Sequence, residues 1–262
     1  MKTLSARLIL IYIGLIAVCL MLVGISDAKV DPETCDGMWL FDDGAGGTAI
    51  DSSGKGNDGT LKNSPKWVDG KMGKAIAFDG SKQQSMSTVA SVLMDPYPYT
   101  FMAWVKLDEY NPDANTGSVV MGNYSGDSKS SIFYISSAGL LSIRPHPGTD
   151  TKGKTKIPTG EWTHIATTLE GSDVKLYVNG EEDGGGTSAG YAGGISKPFV
   201  IGRASWYEGS FFTGIVDEAA LFNKALSGNE IRNIMIGGLL GKSAVYPKDK
   251  LASAWGTIKR DI

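Results

Sequence analysis

The chain has 262 residues, a formal net charge of -3 and 35 glycines, about twice the usual glycine content of proteins. The glycines follow no three-residue repeat, which excludes a collagen-like chain and favours tight turns between short strands. Residues 1–28 carry +1 and residues 237–262 carry +3, so residues 29–236 carry -7. This acidic balance argues against nucleic acid as a partner.

The first 28 residues have the composition of an export signal. Lys2 and Arg7 precede a long uncharged apolar run, Leu8–Ile25, and small residues suited to cleavage end at Ala28. We therefore expect residues 1–28 to be a cleaved signal peptide and the protein to be secreted, periplasmic or on the cell surface. The run approaches the ~20 residues that span a bilayer, so an uncleaved membrane anchor is the alternative. Contact with a membrane is expected only through that segment.

Two cysteines limit covalent cross-linking. Cys19 lies in the leader, so Cys35 is the one cysteine left after cleavage, and no disulfide can form within the mature chain. Cys35 falls within residues 29–37, which we interpret as a short linker before the folded domain.

Short apolar runs recur at intervals of eight to twelve residues from Met38 onward, with turn residues between them. Asn179-Gly180, between two such runs, is typical of a two-residue β-hairpin. The pattern predicts an all-β fold, an antiparallel jelly-roll β-sandwich over residues 38–236. The large residues expected to face its core are Trp39, Phe78, Phe101, Trp104, Ile165, Tyr177, Val216 and Phe222.

One short helix is expected near the end of the sandwich. Ser227 followed three residues later by Glu230 is typical of a capping box, and Ile231 begins an apolar stripe of helical spacing. Gly237-Gly238 ends the helix. Residues 237–262 are basic and lack strand-like alternation, so we predict a tail outside the core.

Strand-like and turn-like segments follow one another in a consistent order along residues 38–236. The segments are Trp39–Asp42, Asp51–Leu61, Lys74–Gly80, Phe101–Lys106, Glu161–Ala166, Leu176–Gly180, Gly214–Ala219 and Asn223–Ser227. In this order they resemble the laminin-G-like jelly-roll domains of the concanavalin A-like lectin/glucanase superfamily. This resemblance implies the same sandwich fold and a place among lectins, glucanases and scaffold domains.

The carboxylates do not form the pattern of a glycosidase. Glucanases of the resembled group place their carboxylates at alternate positions of one strand, on one face and close together. Asp217 and Glu218 are adjacent, so their side chains are expected on opposite faces. His164 falls in a strand at a position that is structural in the resembled family, where we expect its ring to be hydrogen bonded. The sequence therefore predicts that the protein is not an enzyme.

Calcium is the one cofactor that the sequence suggests. The loop from Asp51 to Gly59 is rich in carboxylate, amide and carbonyl oxygens, which Ca²⁺ prefers, although its spacing is not that of an EF-hand. Related sandwiches hold Ca²⁺ between such a loop and an aspartate of the last strand, and the resemblance implies Asp217 in that role. The predicted structural calcium site is Asp51, Asn57 and Asp217. The alternative is a hydrogen-bonded turn.

Aromatic residues in glycine-bounded loops are the candidates for ligand contact. Trp206, Tyr207 and Tyr124 have this setting, and Trp206 is the best candidate for a sugar platform. The alternative is that Trp206 packs over a sheet edge. The sequence thus predicts an exported binding module that recognises carbohydrate or a glycosylated protein surface through its loops. A structural or adhesive surface protein without a sugar site, and a divergent glycoside hydrolase, are the alternatives.

Overall fold

The computed structural model describes residues 31–89, 92, 98–113, 115–123, 130–146, 148–188, 198–204 and 209–241. The predicted signal peptide, residues 1–28, and residues 242–262 of the predicted tail lie outside this part of the chain. Within it, no helix is both long enough and apolar enough to cross a membrane.

The described residues form sixteen strands, two 3-10 helices and one α-helix. The strands are β1 (Cys35–Trp39), β2 (Thr48–Ala49), β3 (Gly59–Lys62), β4 (Lys66–Asp69), β5 (Lys74–Phe78), β6 (Ser85–Thr88), β7 (Tyr99–Leu107), β8 (Ser118–Gly122), β9 (Ser130–Ile135), β10 (Leu140–His146), β11 (Thr151–Lys156), β12 (Trp162–Glu170), β13 (Asp173–Val178), β14 (Glu181–Thr187), β15 (Val200–Ile201) and β16 (Gly214–Phe222). The 3-10 helices cover Pro32–Thr34 and Gly80–Lys82, and α1 covers Gly228–Gly237.

Two antiparallel sheets stack face to face, as the sequence predicts for a jelly-roll β-sandwich. Sheet A has the order β14-β13-β12-β7-β16-β5-β4, with β1 beside the second half of β16. Sheet B has the order β11-β10-β9-β8-β15-β6-β3-β2. Each sheet therefore has an inner face, which meets the other sheet, and an outer face.

Aromatic rings fill the space between the sheets. Trp39 of sheet A stacks on Phe199 at a ring distance of 5.4 Å, and Phe101 meets Phe199 edge-on at 5.7 Å. The predicted core positions Trp39, Phe78, Phe101, Ile165 and Val216 all lie in this inner core. Because these large apolar rings are buried and stacked, the core between the sheets is the main source of the protein's stability.

Three residues predicted for the same core, Trp104, Tyr177 and Phe222, lie instead on the outer face of sheet A. Tyr177 and Phe222 belong to a second apolar cluster, which α1 covers with Ile231 and Ile234. Trp104 packs edge-on against His164. The prediction was wrong for Tyr177 and Phe222 because strand alternation does not show that a helix buries the outer face as well. It was wrong for Trp104 because His164 and the Lys71 amine contact its ring on that face.

The helix α1 begins as the sequence predicts. The Ser227 hydroxyl accepts from the Glu230 amide, and the Glu230 carboxylate accepts from the Ser227 amide, so the capping box is complete. Beyond the helix, Leu239 is buried in the cluster under α1. The sandwich therefore extends past Gly237, and the prediction that Leu239 belongs to an external tail was wrong.

The sandwich also begins earlier than residue 38. β1 starts at Cys35, which is buried and pairs with Phe222 of β16, so the last three residues of the predicted linker belong to sheet A. Burial raises the pKa of the Cys35 thiol to about 12. The free thiol therefore stays protonated and unreactive at neutral pH.

Asp183 joins the two sheets along one margin of the sandwich. It lies in β14 at the edge of sheet A, and its two carboxylate oxygens accept from the Lys154 and Thr155 amides of β11, each at 3.0 Å. A side chain at Gly153 would not fit, because its Cβ would lie 2.0 Å from the nearer carboxylate oxygen. The carboxylate thus satisfies edge amides that no neighbouring strand pairs.

Candidate functional site

A small polar pocket opens on the outer face of sheet B. Its volume is about 110 Å³, and the turn after Asp113, strands β9 and β10, and strand β11 form its walls. The polar residues that line it are Asn115, Thr116, Tyr134, Ser136, Ser137 and Lys152. We call this site the sheet B pocket.

The register of three strands brings these residues to one face. Tyr134 of β9 lies opposite Ser142 of β10, which in turn lies opposite Lys152 of β11, so the three form a row across sheet B. The neighbours Phe133 and Ile135 point the other way, into the inner core. Tyr134 also closes a small apolar cluster with Val119, Ile132 and Ala204 on the outer face.

An ion pair between Arg144 and Asp150 lies next to the pocket. The guanidinium of Arg144 donates through Nε and Nη2 to the two oxygens of Asp150, a bidentate pair of side chains that are each about one-fifth exposed. Arg144 also lies over the Tyr134 ring, 5.7 Å from its centre. These contacts fix the positions of the three side chains relative to one another.

The protonation states of this group follow from its contacts. Burial acts to raise the pKa of Asp150, but the Arg144 and Tyr134 hydrogen bonds and the Arg144 charge hold that pKa below its ordinary value. Burial, together with the Asp150 charge, raises the pKa of the Tyr134 phenol. The site therefore presents a carboxylate, a guanidinium and a neutral phenol at physiological pH.

The turn that forms the other wall is also held in place. Arg144 Nη2 donates to the Asn115 carbonyl at 2.8 Å, and the Asp113 carboxylate accepts from the Asn115 and Thr116 amides. Thr116 in turn shares a hydrogen bond with the buried Ser210 hydroxyl. These contacts preform the pocket wall.

The three predicted ligand contacts, Tyr124, Trp206 and Tyr207, lie outside the described residues, so their role stays a prediction. The described residues that precede their segments are Asn123 and Ala204. Ala204 packs against the sheet B cluster next to the pocket.

The residues of the predicted calcium site fall into two groups. Asp51 and Asn57 come together, because the Asp51 carboxylate accepts from the amides of Met38, Ser53 and Asn57 and from the Ser53 hydroxyl. These four donors occupy the lone pairs that a cation would use, so the contacts fit a hydrogen-bonded turn better than calcium.

Asp217 has a different set of partners. Its carboxylate accepts from the Met72 amide at 2.9 Å and from the Glu218 amide at 2.8 Å. Among the described residues, no group of three or more His, Cys, Asp or Glu side chains is placed to hold a metal ion. Calcium binding by Asp51, Asn57 and Asp217 therefore stays a prediction that these contacts do not support.

Asp217 and Glu218 share the outer face of sheet A, so the prediction of opposite faces was wrong. Val216 and Ala219 both belong to the inner core, and a bulge in β16 places the two carboxylates between them on the other side. Glu218 has a φ of 48°, the left-handed conformation that such a bulge requires. The bulge falls where the neighbour of β16 changes from β5 to β1.

Both carboxylates are buried, and burial raises the pKa of each to about 7. Backbone hydrogen bonds oppose this shift: Met72, Lys71 and Glu218 donate to Asp217, and Leu239 donates to Glu218. The nearby charge of Asp42 adds to it in both cases. The pair anchors two surface segments to sheet A, which gives it a structural role.

His164 is not a candidate for acid–base chemistry. Burial lowers the pKa of its imidazole to about 3, so the ring is neutral at physiological pH. Its Nδ1 has no hydrogen-bond partner among the described residues, although we expected the ring to be hydrogen bonded. It packs against Trp104 at a ring distance of 5.3 Å.

The sequence of this chain is similar to that of a known domain family. A sequence model of laminin-G-like domains in the concanavalin A-like lectin/glucanases superfamily matches residues 79–232. The chain belongs to this superfamily. None of the curated proteins compared with this laminin-G-like chain matches it.

Solved structures resemble this laminin-G-like sandwich over most of its described length. Domain 4 of the extracellular GH43 arabinanase AbnA of Geobacillus stearothermophilus, in complex with arabinotriose, has 24% identity and a TM-score of 0.62, with 77% of this chain and 98% of that domain covered. The binding domain of botulinum neurotoxin DC, in complex with SialylT, has 10% identity and a TM-score of 0.59, with 78% of this chain and 52% of the toxin chain covered. Trypanosoma rangeli sialidase, with the inhibitor DANA, has 16% identity and a TM-score of 0.56, with 79% and 33% covered. The laminin-G-like chain thus spans only about half of the toxin domain and a third of the sialidase, and these likenesses establish the fold.

Tyr134, Arg144, Asp150 and Lys152 are not among the predicted ligand contacts of this laminin-G-like domain. The alternation Lys152, Lys154, Lys156 in β11 is the signal that points to a polar outer face. The position of Arg144 over Tyr134 depends on strand register, which a single sequence does not show.

Proposed function

We propose that this domain is a binding module for carbohydrate and that the ligand occupies the sheet B pocket. The observation that carries the proposal is the rigid set of polar groups around the pocket: Asn115 and Ser137 on the wall, and the Arg144–Asp150 pair beside them. A few convergent polar groups on a preformed concave surface are typical of small-ligand sites. Sugar hydroxyls both donate and accept hydrogen bonds, which such a mixed lining can satisfy.

The fold relatives support a sugar as the ligand class. The arabinanase domain was solved with arabinotriose and the toxin domain with SialylT, so two relatives of the same architecture hold saccharides. Fold alone does not assign function, and the pocket lining is therefore the main support.

Filling the pocket is the direct test of this proposal. We expect the protein to bind one class of glycan on an array, and the Ala138→Trp variant to lose that binding at least tenfold, because the indole would occupy the space between Ser137 and Leu140. The matched control is Ala45→Trp, at an exposed position of another turn. Equal glycan binding by both variants, or no glycan binding by the wild type, would contradict the proposal.

We propose that the site binds sugar without cleaving it. Glycosidases use a pair of carboxyl groups that flank the scissile bond. The described lining of the sheet B pocket contains no carboxylate, and Asp150 beside it is paired with Arg144. Release of reducing ends from any glycan that binds would favour the alternative, a divergent hydrolase.

We infer that the module is exported through residues 1–28. The basic residues, the apolar run and the small residues before Lys29 support cleavage after Ala28. Expression of the whole chain in a secreting host should yield a protein whose first residue, by N-terminal sequencing, is Lys29. Retention of Met1 in a membrane fraction would establish the anchor in its place.

A further inference from the structure

The sheet B pocket is lined on one side by positive charge, although residues 29–236 as a whole are acidic. Lys152 lines the pocket, and its side chain is 53% exposed. Lys154 and Lys156 follow on the same edge strand and are also exposed. Arg144 lies one strand further in.

Within the described part of the chain, the acidic side chains that contact these strands already have partners. Asp150 accepts two hydrogen bonds from Arg144, and its oxygen is 4.0 Å from the Lys152 amine, too far for a direct hydrogen bond. Asp183 accepts from the backbone amides of Lys154 and Thr155. Among the described residues, the amines of Lys154 and Lys156 form no ion pair.

The charge is therefore uneven around the pocket. Arg144 and Lys152 both lie near the single Asp150 carboxylate, Arg144 in a bidentate hydrogen bond and Lys152 at 4.0 Å, so the three side chains together carry one excess positive charge at the pocket wall. The amine of the exposed Lys156 lies over the Tyr110 ring, 4.8 Å from its centre, and this contact favours one position of the side chain. Lysine amines donate hydrogen bonds and accept none, which suits an anionic group better than a hydroxyl.

We propose that the ligand of the sheet B pocket is an acidic saccharide, with a carboxylate or sulfate group bound by Lys152 and attracted by Lys154 and Lys156. This inference rests on the proposed carbohydrate-binding function and names its ligand class. The sugar ring occupies the polar pocket, and the anionic group lies on the β11 side of it. The Arg144–Asp150 ion pair stays intact in this arrangement, and Arg144 keeps the Tyr134 ring in its position at the site.

The test compares matched acidic and neutral glycans with the whole exported protein. The probes are polygalacturonate for carboxylates, heparin oligosaccharides for sulfates, and arabinan and dextran as neutral polymers, each measured by calorimetry at 50 and 500 mM salt. We expect an acidic probe to bind about tenfold tighter than the neutral ones at low salt and to lose this advantage at high salt. Preference for the carboxylate or the sulfate probe identifies the anionic group.

Charge variants locate the effect. Lys152→Gln should weaken binding of the acidic probe about tenfold, and Lys152→Glu should weaken it further, each by a clearly larger factor than it weakens binding of the neutral probes. Lys66→Gln, an exposed lysine of β4 at the far edge of sheet A, is the matched control and should bind as the wild type does. Circular dichroism melts of the three variants check that each is folded.

The outcomes separate the two proposals. Binding of a neutral glycan at least as tight as that of either acidic probe, abolished by Ala138→Trp and unchanged by Lys152→Gln, overturns the acidic ligand and keeps the carbohydrate site. Absence of binding to any glycan overturns both. Binding of a single-stranded oligonucleotide as tight as that of the acidic glycans overturns the inference, because the lysines would then act only as a nonspecific polyanion surface.

Discussion

The Trp39→Ala variant is expected to unfold with a free energy about 3–5 kcal/mol lower than that of the wild type. Trp39 is fully buried, its ring stacks on Phe199, and its indole Nε1 donates to the Asn57 carbonyl at 3.0 Å. Truncation would leave a large cavity between the sheets and an unpaired carbonyl in the Asp51–Asn57 loop. Guanidinium unfolding followed by circular dichroism measures the difference.

A second tryptophan provides the control for this effect. Trp67 lies in the edge strand β4, is half-buried, and donates through its indole to the Gly46 carbonyl at 3.0 Å. Its replacement by alanine removes the same atoms and a similar hydrogen bond, but less buried area, so the loss should be clearly smaller. Equal losses at the two positions would show that the stack on Phe199 is not a major source of stability.

The Glu218→Gln variant is expected to be more stable than the wild type at pH 8, with a much smaller difference near pH 5. Burial raises the pKa of Glu218 to about 7 from 4.5 in the unfolded chain. Between about pH 4.5 and 7 the folded protein thus binds more protons than the unfolded one, and the free energy of unfolding falls as pH rises. This difference in pKa corresponds to about 3 kcal/mol of the free energy of unfolding, and the wild type has lost all of that contribution above pH 7.

Glutamine keeps an oxygen for the Leu239 amide but carries no charge, so this part of the decline should disappear. Asp217, with its pKa also raised to about 7, remains, so we expect the decline to be reduced and not abolished. Urea unfolding at pH 5, 6, 7 and 8 gives the profile. Glu161→Gln at an exposed position is the control, and identical profiles for wild type and Glu218→Gln would rule out a buried charge at residue 218.

The fold follows from patterns that are local in the sequence. Asn179 and Gly180 have φ values of 51° and 78°, as the predicted two-residue hairpin requires, and they join β13 to β14. The α1 capping box is local in the same way. The contact between Asp51 and Asn57 also lies within one loop, which is why the prediction placed these two residues together correctly.

The site depends on contacts between distant segments, which these patterns do not show. Glu218 has its left-handed conformation at a bulge where Leu239, twenty-one residues later, and the Met72 turn reach β16. Strand alternation in β16 therefore predicted the wrong face of the sheet for one of the two carboxylates, Asp217 and Glu218. In β9, Ile132 and Tyr134 alternate with Phe133 and Ile135, and all four are large and apolar or aromatic, so alternation does not tell the outer face from the core.

Asp183 also affects where a strand of a second molecule can pair with the sheet edges of this sandwich. At a free margin, unpaired amides recruit a strand from a second molecule, which is the first step of fibril growth and of strand exchange. The carboxylate of Asp183 occupies two such amides where β14 meets β11. At the opposite margin, β4 and β2 are the last strands of their sheets. Strand addition to the described part of the chain is therefore expected at β4 and β2, on the margin away from the lysines of β11.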